Sequence, residues 1–195
     1  MTEPKAYSSL KQEVELSGRY RLLLPEEEIR RRIREMAGEI SRDYAGRCPV
    51  FIGVLNGSFI FLADLIRELS IDCEVDFFKI SSYGDAMQSS GKVKLKKDID
   101  CHLEGRDVIV VEDIVDSGLS VRYLDERVRA MRPKSLKFAS LLVKWDNAQP
   151  NRKIDYVGFA IPKEFVVGYG LDYMQKLRNL KGIYVMQERT EEGSE

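Results

Sequence analysis

Apolar positions change their period several times along the chain, and each change marks an element. After a polar lead-in, Ile29, Ile33, Met36, Ala37, Ile40 and Tyr44 recur at helical spacing, with Arg30, Arg31, Arg34 and Glu35 on the other faces. Pro25 followed by Glu26, Glu27 and Glu28 starts this helix, because proline suits a first turn and carboxylates there complement the helix dipole; Gly46 ends it. Pro49 to Leu55 is a continuous apolar run of strand length, and Gly57-Ser58 turns it into a second helix, Phe59 to Leu69. Cys73 to Tyr83 reads as a strand, and the Ser- and Gly-rich segment from about 82 to 92 as a mobile loop. Val93 to Lys97 alternates, so the loop joins two antiparallel strands that project from the main sheet. Asp107 to Val111 is a strongly apolar β-branched run whose acidic end leads through Asp116-Ser117-Gly118 into a helix carrying Val121, Leu124, Val128 and Met131. Ser135 to Val143, Tyr156 to Ile161 and Gly182 to Met186 supply further strands. Strands alternating with helices predict an α/β protein with a mostly parallel sheet covered on both faces.

Composition narrows the possibilities. The 195 residues suffice for one domain, with 44% apolar and 32% charged residues. A net charge of -1 supplies no global field for nucleic acid or an anionic membrane, so any anion must be held locally. The longest uncharged stretch, Cys48 to Ala63, falls short of the roughly 20 apolar residues of a spanning helix. The first dozen residues lack the apolar segment of a secretory signal, and 3 scattered cysteines cannot all pair within one chain. These features predict a soluble protein in a reducing, cytoplasmic setting.

Ligands of open parallel sheets bind beyond the carboxyl ends of strands. Here the segment VIVVEDIVDSGLS, from Val108, places Glu112 and Asp113 at a strand's exit, Asp116 just after, and Ser117, Gly118 and Ser120 at the start of a helix. A helix amino terminus with small hydroxyl side chains is a phosphate cradle, and Gly118 lets the backbone approach the anion. Carboxylates cannot bind phosphate, so they serve sugar hydroxyls, a magnesium ion or a proton transfer. A ribose bearing a 5-phosphate answers both requirements.

This segment resembles the phosphoribosyl-pyrophosphate signature of the type I phosphoribosyltransferases. GVLNGSFIFLADL from Gly53, SSYG from Ser81, ASLLVKW from Ala139 and DYVGFAIPKEFVVGYGLDY from Asp155 narrow the resemblance to the hypoxanthine-guanine members. It implies the type I fold as a single domain over 1–195, with a small hood lobe formed by the N-terminal segment and about 145–195. It also implies purine salvage: transfer of the 5-phosphoribosyl group from phosphoribosyl pyrophosphate to N9 of hypoxanthine or guanine, with Mg2+ as cofactor and a homodimer or homotetramer as the assembly.

Roles carry over position by position. Glu112 and Asp113 sit beside the ribose hydroxyls, and Asp116 near purine N7 is the general acid or base. Amides and hydroxyls from Asp116 through Ser117, Gly118, Leu119 and Ser120 receive the 5-phosphate; Leu119 stands where relatives often have Lys, leaving the backbone contribution. Leu55, Asn56 and Gly57 form the pyrophosphate loop, whose first peptide bond is often cis in the family; Asn56 replaces a frequent Lys, so pyrophosphate relies on amides and on Arg178. Lys144 donates to the purine's 6-oxo group, which an adenine amino group cannot accept. Phe165 stacks on the base, Val166 reads its pyrimidine edge, and Asp172, with Glu112 and Asp113, binds magnesium. Ser82 and Tyr83 belong to the loop that closes over the site.

Taken singly, these residues read differently: an acidic pair as a solvated turn, Lys144 as a surface lysine, Phe165 as a core aromatic. Asp172 and Arg178, six apart on a possible helical turn, rest on the resemblance alone. The single histidine, His102, is a solvated strand-end residue, and Cys48, Cys73 and Cys101 lack metal spacing. Trp145 is read as packing, with the base pocket or a subunit contact as alternatives. The competing function is a regulator that senses phosphoribosyl pyrophosphate through the same fold; it would need a basic face or a recognition domain, and no helix-turn-helix pattern is found.

Overall fold

The computed structural model describes residues 14, 18–82, 93–144 and 153–187. Its elements are β1 (Tyr20–Leu24), α1 (Glu26–Asp43), β2 (Val50–Leu55), α2 (Phe59–Arg67), β3 (Glu74–Ser82), β4 (Val93–Lys97), β5 (Asp107–Val115), α3 (Leu119–Arg129), β6 (Ser135–Lys144), β7 (Tyr156–Ile161), β8 (Val166–Val167) and β9 (Ile183–Met186). The main sheet has the order β4-β3-β2-β5-β6-β7. Strands β3, β2, β5, β6 and β7 pair in parallel with their neighbours, and β4 runs antiparallel to β3. β2 accompanies β3 as far as Lys79, and β4 takes over from Lys79 to Ser82, so the β3–β4 ribbon runs past the sheet, as expected.

Alternation along the strands divides the interior into two layers. Phe51, Ile109, Val111, Ala139 and Leu141 pack against Ile33, Met36 and Ile40 of α1 and Phe61 and Leu65 of α2. Val50, Ile52, Val108, Val110 and Phe138 pack on the other side against Val121, Leu124 and Val128 of α3. Full burial of each of these Val, Leu, Ile, Phe and Met side chains contributes about 1.5–3 kcal/mol. The α1 stripe is buried as its periodicity predicts, Pro25 is its N-cap, and Gly46 follows in the left-handed region at φ +71°.

Two features depart from expectation. β5 does not end at Val111: its pairing with β6 continues from Asp107 opposite Ser135 to Val115 opposite Val143. The continuous parallel partner supplies hydrogen bonds past the two acids, so Glu112 and Asp113 lie within the strand and not at its exit. The lead-in also holds a strand. β1 pairs antiparallel with β9, Tyr20 opposite Met186, and β9 pairs with β8 in a second sheet of order β1-β9-β8. One side of this small sheet joins the main core through Leu24, Val166, Ile183 and Val185, and the other gathers Val14, Val167, Leu180 and Tyr184. Among the described residues no helix is long and apolar enough to cross a membrane.

Candidate active site

A cavity of about 250 Å³ opens where the carboxyl ends of β2, β5 and β6 meet the small sheet. Its polar lining is Asn56, Gly57, Asp113, Lys144, Asp172 and Arg178; its apolar lining is Ile114, Phe165, Val166 and Leu171. Thus eight of the residues expected from the sequence share one cavity, while Ile114 and Leu171 were not foreseen. Ile114 is masked by the acids around it, and Leu171 is placed by an isolated bridge to Gly168 that leaves no periodic signal.

Glycines allow the segments to converge. A Cβ on Gly57 would lie 1.5 Å from Asp113 Oδ2, so the carboxylate rests where any side chain would be. Gly170, at φ +97°, backs onto the same turn, and a Cβ there would lie 2.1 Å from the Gly57 carbonyl oxygen. The Leu55–Asn56 peptide bond preceding this turn is cis.

The two neighbouring acids of β5 have different surroundings, because consecutive strand residues point to opposite faces. Asp113 faces the cavity. Burial pushes its pKa up to about 6; its own amide, that of Ile114 and the Arg178 charge pull it down, and Asp172 pushes it up. Glu112 is buried and does not line the cavity; its Oε1 has no hydrogen-bond partner. Burial first and the Asp113 charge second hold its pKa well above the usual carboxylate range, opposed by a hydrogen bond with Ser120. The expected set of Glu112, Asp113 and Asp172 is therefore not gathered: among the described residues no three His, Cys, Asp or Glu side chains cluster as metal ligands.

Both cations of the cavity hold an acid. Lys144, at the end of β6, donates to Asp116 Oδ2 at 2.9 Å. Arg178 lies 2.7 Å from Asp172 Oδ1 and donates to the Gly170 carbonyl at 2.8 Å and to Gln175 Oε1 at 3.2 Å. Asp172 and Arg178 are not on a helical turn. The segment between them is a tight turn closed by a Tyr173–Lys176 bridge, with Met174, Gln175 and Leu177 at φ 50°, 66° and 70°.

Asp116 and Ser117 are exposed and lead to Gly118 at φ +73°, the N-cap of α3, which makes no side-chain cap. The Leu119 amide reaches only Ser117 Oγ, at 3.5 Å. Helix-start amides without a strong internal partner, and with no acid in the first turn, suit an anion. The turn from Ser117 to Ser120 does not line the cavity itself, and it joins it through Asp116 and Lys144. Leu55 precedes the lining residues Asn56 and Gly57. Ser82 ends β3, whereas Tyr83, the rest of the loop to 92 and Trp145 lie outside the described residues. His102 is exposed, and none of the three cysteines is bonded to another.

A parallel sheet with an uncapped helix start, acids and a cavity at its carboxyl ends belongs to the class of α/β proteins whose geometry suits an anionic ligand at the strand ends. A model of the phosphoribosyl transferase domain matches residues 22–174, and the chain belongs to that family, with its type I fold. It is 45% identical over 167 residues to a hypoxanthine-guanine phosphoribosyltransferase of Bacillus subtilis, covering 86% of this chain and 93% of that one. It is 44% identical over 161 residues to a hypoxanthine phosphoribosyltransferase of Escherichia coli, covering 82% and 90%. Among solved structures, a hypoxanthine-guanine phosphoribosyltransferase of Bacillus anthracis with HEPES in its active site superposes with a TM-score of 0.81 at 46% identity, over 86% of this chain and 98% of that one. A hypoxanthine phosphoribosyltransferase of Staphylococcus aureus gives 0.83 at 33% identity, over 95% and 97%.

Proposed function

We infer that the chain transfers a 5-phosphoribosyl group from phosphoribosyl pyrophosphate to N9 of hypoxanthine or guanine, releasing pyrophosphate and giving IMP or GMP. The observation that carries this reading is the Lys144–Asp116 pair at the rim of the cavity. It offers a donor and an acceptor side by side, which is what the adjacent O6 and N7 of a 6-oxopurine require; adenine's amino group would meet the ammonium donor with a donor of its own.

In the reaction, the bond from N9 to the anomeric carbon forms as the bond to the pyrophosphate oxygen breaks, through a transition state of oxocarbenium character. Asp116 manages the proton at N7. Lys144 holds O6, Phe165 stacks on the base and the Val166 backbone reads its pyrimidine edge. The α3 amides and the hydroxyls of Ser117 and Ser120 take the 5-phosphate, while Asn56, Gly57 and Arg178 take pyrophosphate. The ribose hydroxyls fall to Asp113, and to Glu112 if substrate turns it from its present burial. The loop with Ser82 and Tyr83 excludes water from the reacting sugar.

Magnesium fits this donor set in a restricted sense, since it keeps several waters and takes one or two carboxylates together with substrate phosphate oxygens. Asp113 and Asp172, whose charges act on each other, would hold it. When bound, it would neutralise charge on the leaving pyrophosphate. We also place the protein in the cytoplasm, read the small β1-β9-β8 sheet as part of the hood, and expect a homodimer or homotetramer, which light scattering resolves.

A spectrophotometric assay with phosphoribosyl pyrophosphate, magnesium and each of hypoxanthine, guanine, xanthine and adenine tests the reading. Turnover is expected with hypoxanthine and guanine and not with adenine. Turnover with adenine alone would overturn the role of Lys144. No turnover with any base would favour the regulator, which the enzyme names of the relatives do not.

A further inference from the structure

We propose, resting on the base-stacking role given above to Phe165, that Tyr173 is a positioning residue for the purine: its ring sets the attitude in which Phe165 meets the base. The two rings pack edge to face, with centroids 6.0 Å apart and planes at 86°. Such a pair sets the positive edge of one ring against the negative face of the other, so it fixes orientation as well as contact. Neither ring is a core aromatic: Phe165 is 44% and Tyr173 40% exposed. The main chain of Phe165 is anchored, because its carbonyl accepts from the Met186 amide at 2.9 Å and the next residue pairs with β9. Phe165 lines the cavity, its half-exposed ring is left without an enclosing core, and Tyr173 supplies a neighbour.

Tyr173 can hold another ring because it is itself held. It exchanges both backbone hydrogen bonds with Lys176, at 3.1 and 3.0 Å, across Met174 and Gln175, both at positive φ. This is the geometry of a two-residue hairpin turn that Asn-Gly would ordinarily fill. Left-handed residues other than glycine persist where the surroundings over-determine them. Here the Asp172 carboxylate accepts from the Gln175 amide at 2.8 Å, and Arg178 donates to the Gln175 side chain while pairing with Asp172. One turn therefore carries Asp172 toward the pyrophosphate end of the site and Tyr173 toward the base end. The Tyr173 hydroxyl has no hydrogen-bond partner among the described residues, which leaves the ring as the working group.

Steady-state kinetics on the intact protein, with hypoxanthine and phosphoribosyl pyrophosphate varied in turn, tests this. Tyr173→Leu should raise the KM for hypoxanthine about three- to tenfold, the worth of one edge-to-face pair. The KM for phosphoribosyl pyrophosphate and the thermal midpoint should stay near the parent's, and Tyr173→Phe should retain the parent's values. Phe165→Leu should raise the hypoxanthine KM by itself, with little further rise when Tyr173→Leu is added. An unchanged hypoxanthine KM in Tyr173→Leu, a double variant whose effects multiply, or a Tyr173→Phe variant as impaired as Tyr173→Leu overturns the positioning role. So does an equal rise of both KM values or a fallen midpoint, which would assign Tyr173 to the integrity of the turn. A parent that turns over neither hypoxanthine nor guanine overturns the reaction itself and this inference with it, whereas an active parent with an unaltered Tyr173→Leu variant overturns the inference alone.

Discussion

Asp76 and Asp113 are the same residue type on parallel strands of one sheet, yet their surroundings treat the charge in opposite ways. Burial raises the pKa of Asp76, but the amides of Cys101, Phe77 and Asp100 and the Lys97 ammonium outweigh it and bring the group to about 2. Asp113 is more deeply enclosed and more weakly compensated, and it is raised to about 6. At Asp76, in β3, the protein completes the hydrogen bonding of its own carboxylate, and that charge supports the fold. At the cavity it leaves the carboxylate short of partners, which suits a group whose remaining partners arrive with substrate. The cluster at the start of β6 follows Asp76: Lys137 and the Tyr156 hydroxyl both donate to Asp43 and lower its pKa.

The sharpest break in this contrast comes at the cavity. Asp116→Asn should lower kcat by about 10²- to 10⁴-fold, the usual worth of a general acid or base, with far less change in binding of phosphoribosyl pyrophosphate. Turnover equal to the parent's would remove Asp116 from the mechanism. Gly57→Ala should come next, since its Cβ would fall 1.5 Å from Asp113 Oδ2 and the carboxylate must move. At about 1–3 kcal/mol of overpacking, a loss of about ten- to a hundredfold in kcat/KM for phosphoribosyl pyrophosphate is expected, measured beside a circular dichroism melt.

Stability measurements sharpen the contrast in the other direction. The raised pKa of Asp113 means that the folded state binds this proton more tightly than the unfolded chain does, so its contribution is complete below pH 3.8 and lost as pH rises through about 6. Asp113→Asn should therefore unfold up to about 3 kcal/mol later than the parent at pH 8, with the gain shrinking toward pH 4, by urea titration at both pH values. Asp76 has the reverse sign: its contribution is present above pH 3.8 and lost as pH falls through about 2. Asp76→Asn should cost about 2 kcal/mol at pH 7 and leave kcat per folded molecule unchanged. A stabilised Asp76→Asn variant would erase the distinction.

Local signals carried most of the main sheet and its helices. The stripe from Ile29 to Tyr44 and the apolar runs of β2 and β5 need only neighbours in sequence to be read, and they became α1 and two central strands. β1 escaped because Tyr20–Leu24 is a short edge strand whose partner lies at the far end of the chain, and β8 because two residues have no period. The site divides similarly. Asp113, Lys144, Phe165 and Arg178 stand in motifs and reached one cavity. Glu112 did not, because reading it at a strand's exit hid the pleat that turns it away from its neighbour. The turn between Asp172 and Arg178 was illegible because left-handed Met174 and Gln175 are positions where composition argues for glycine or asparagine.

The pairing of β1 with β9 also orders events in time. At synthesis rates of about 5–20 residues per second, Tyr20 leaves the ribosome on the order of ten seconds before Met186, its partner, exists. The main sheet, drawn from strands between Val50 and Ile161, has all its members translated in that interval. The nascent chain can thus build its scaffold early while its first strand waits unpaired. The segment bearing Phe165, Asp172 and Arg178 is fastened only when the last strand emerges to join the first.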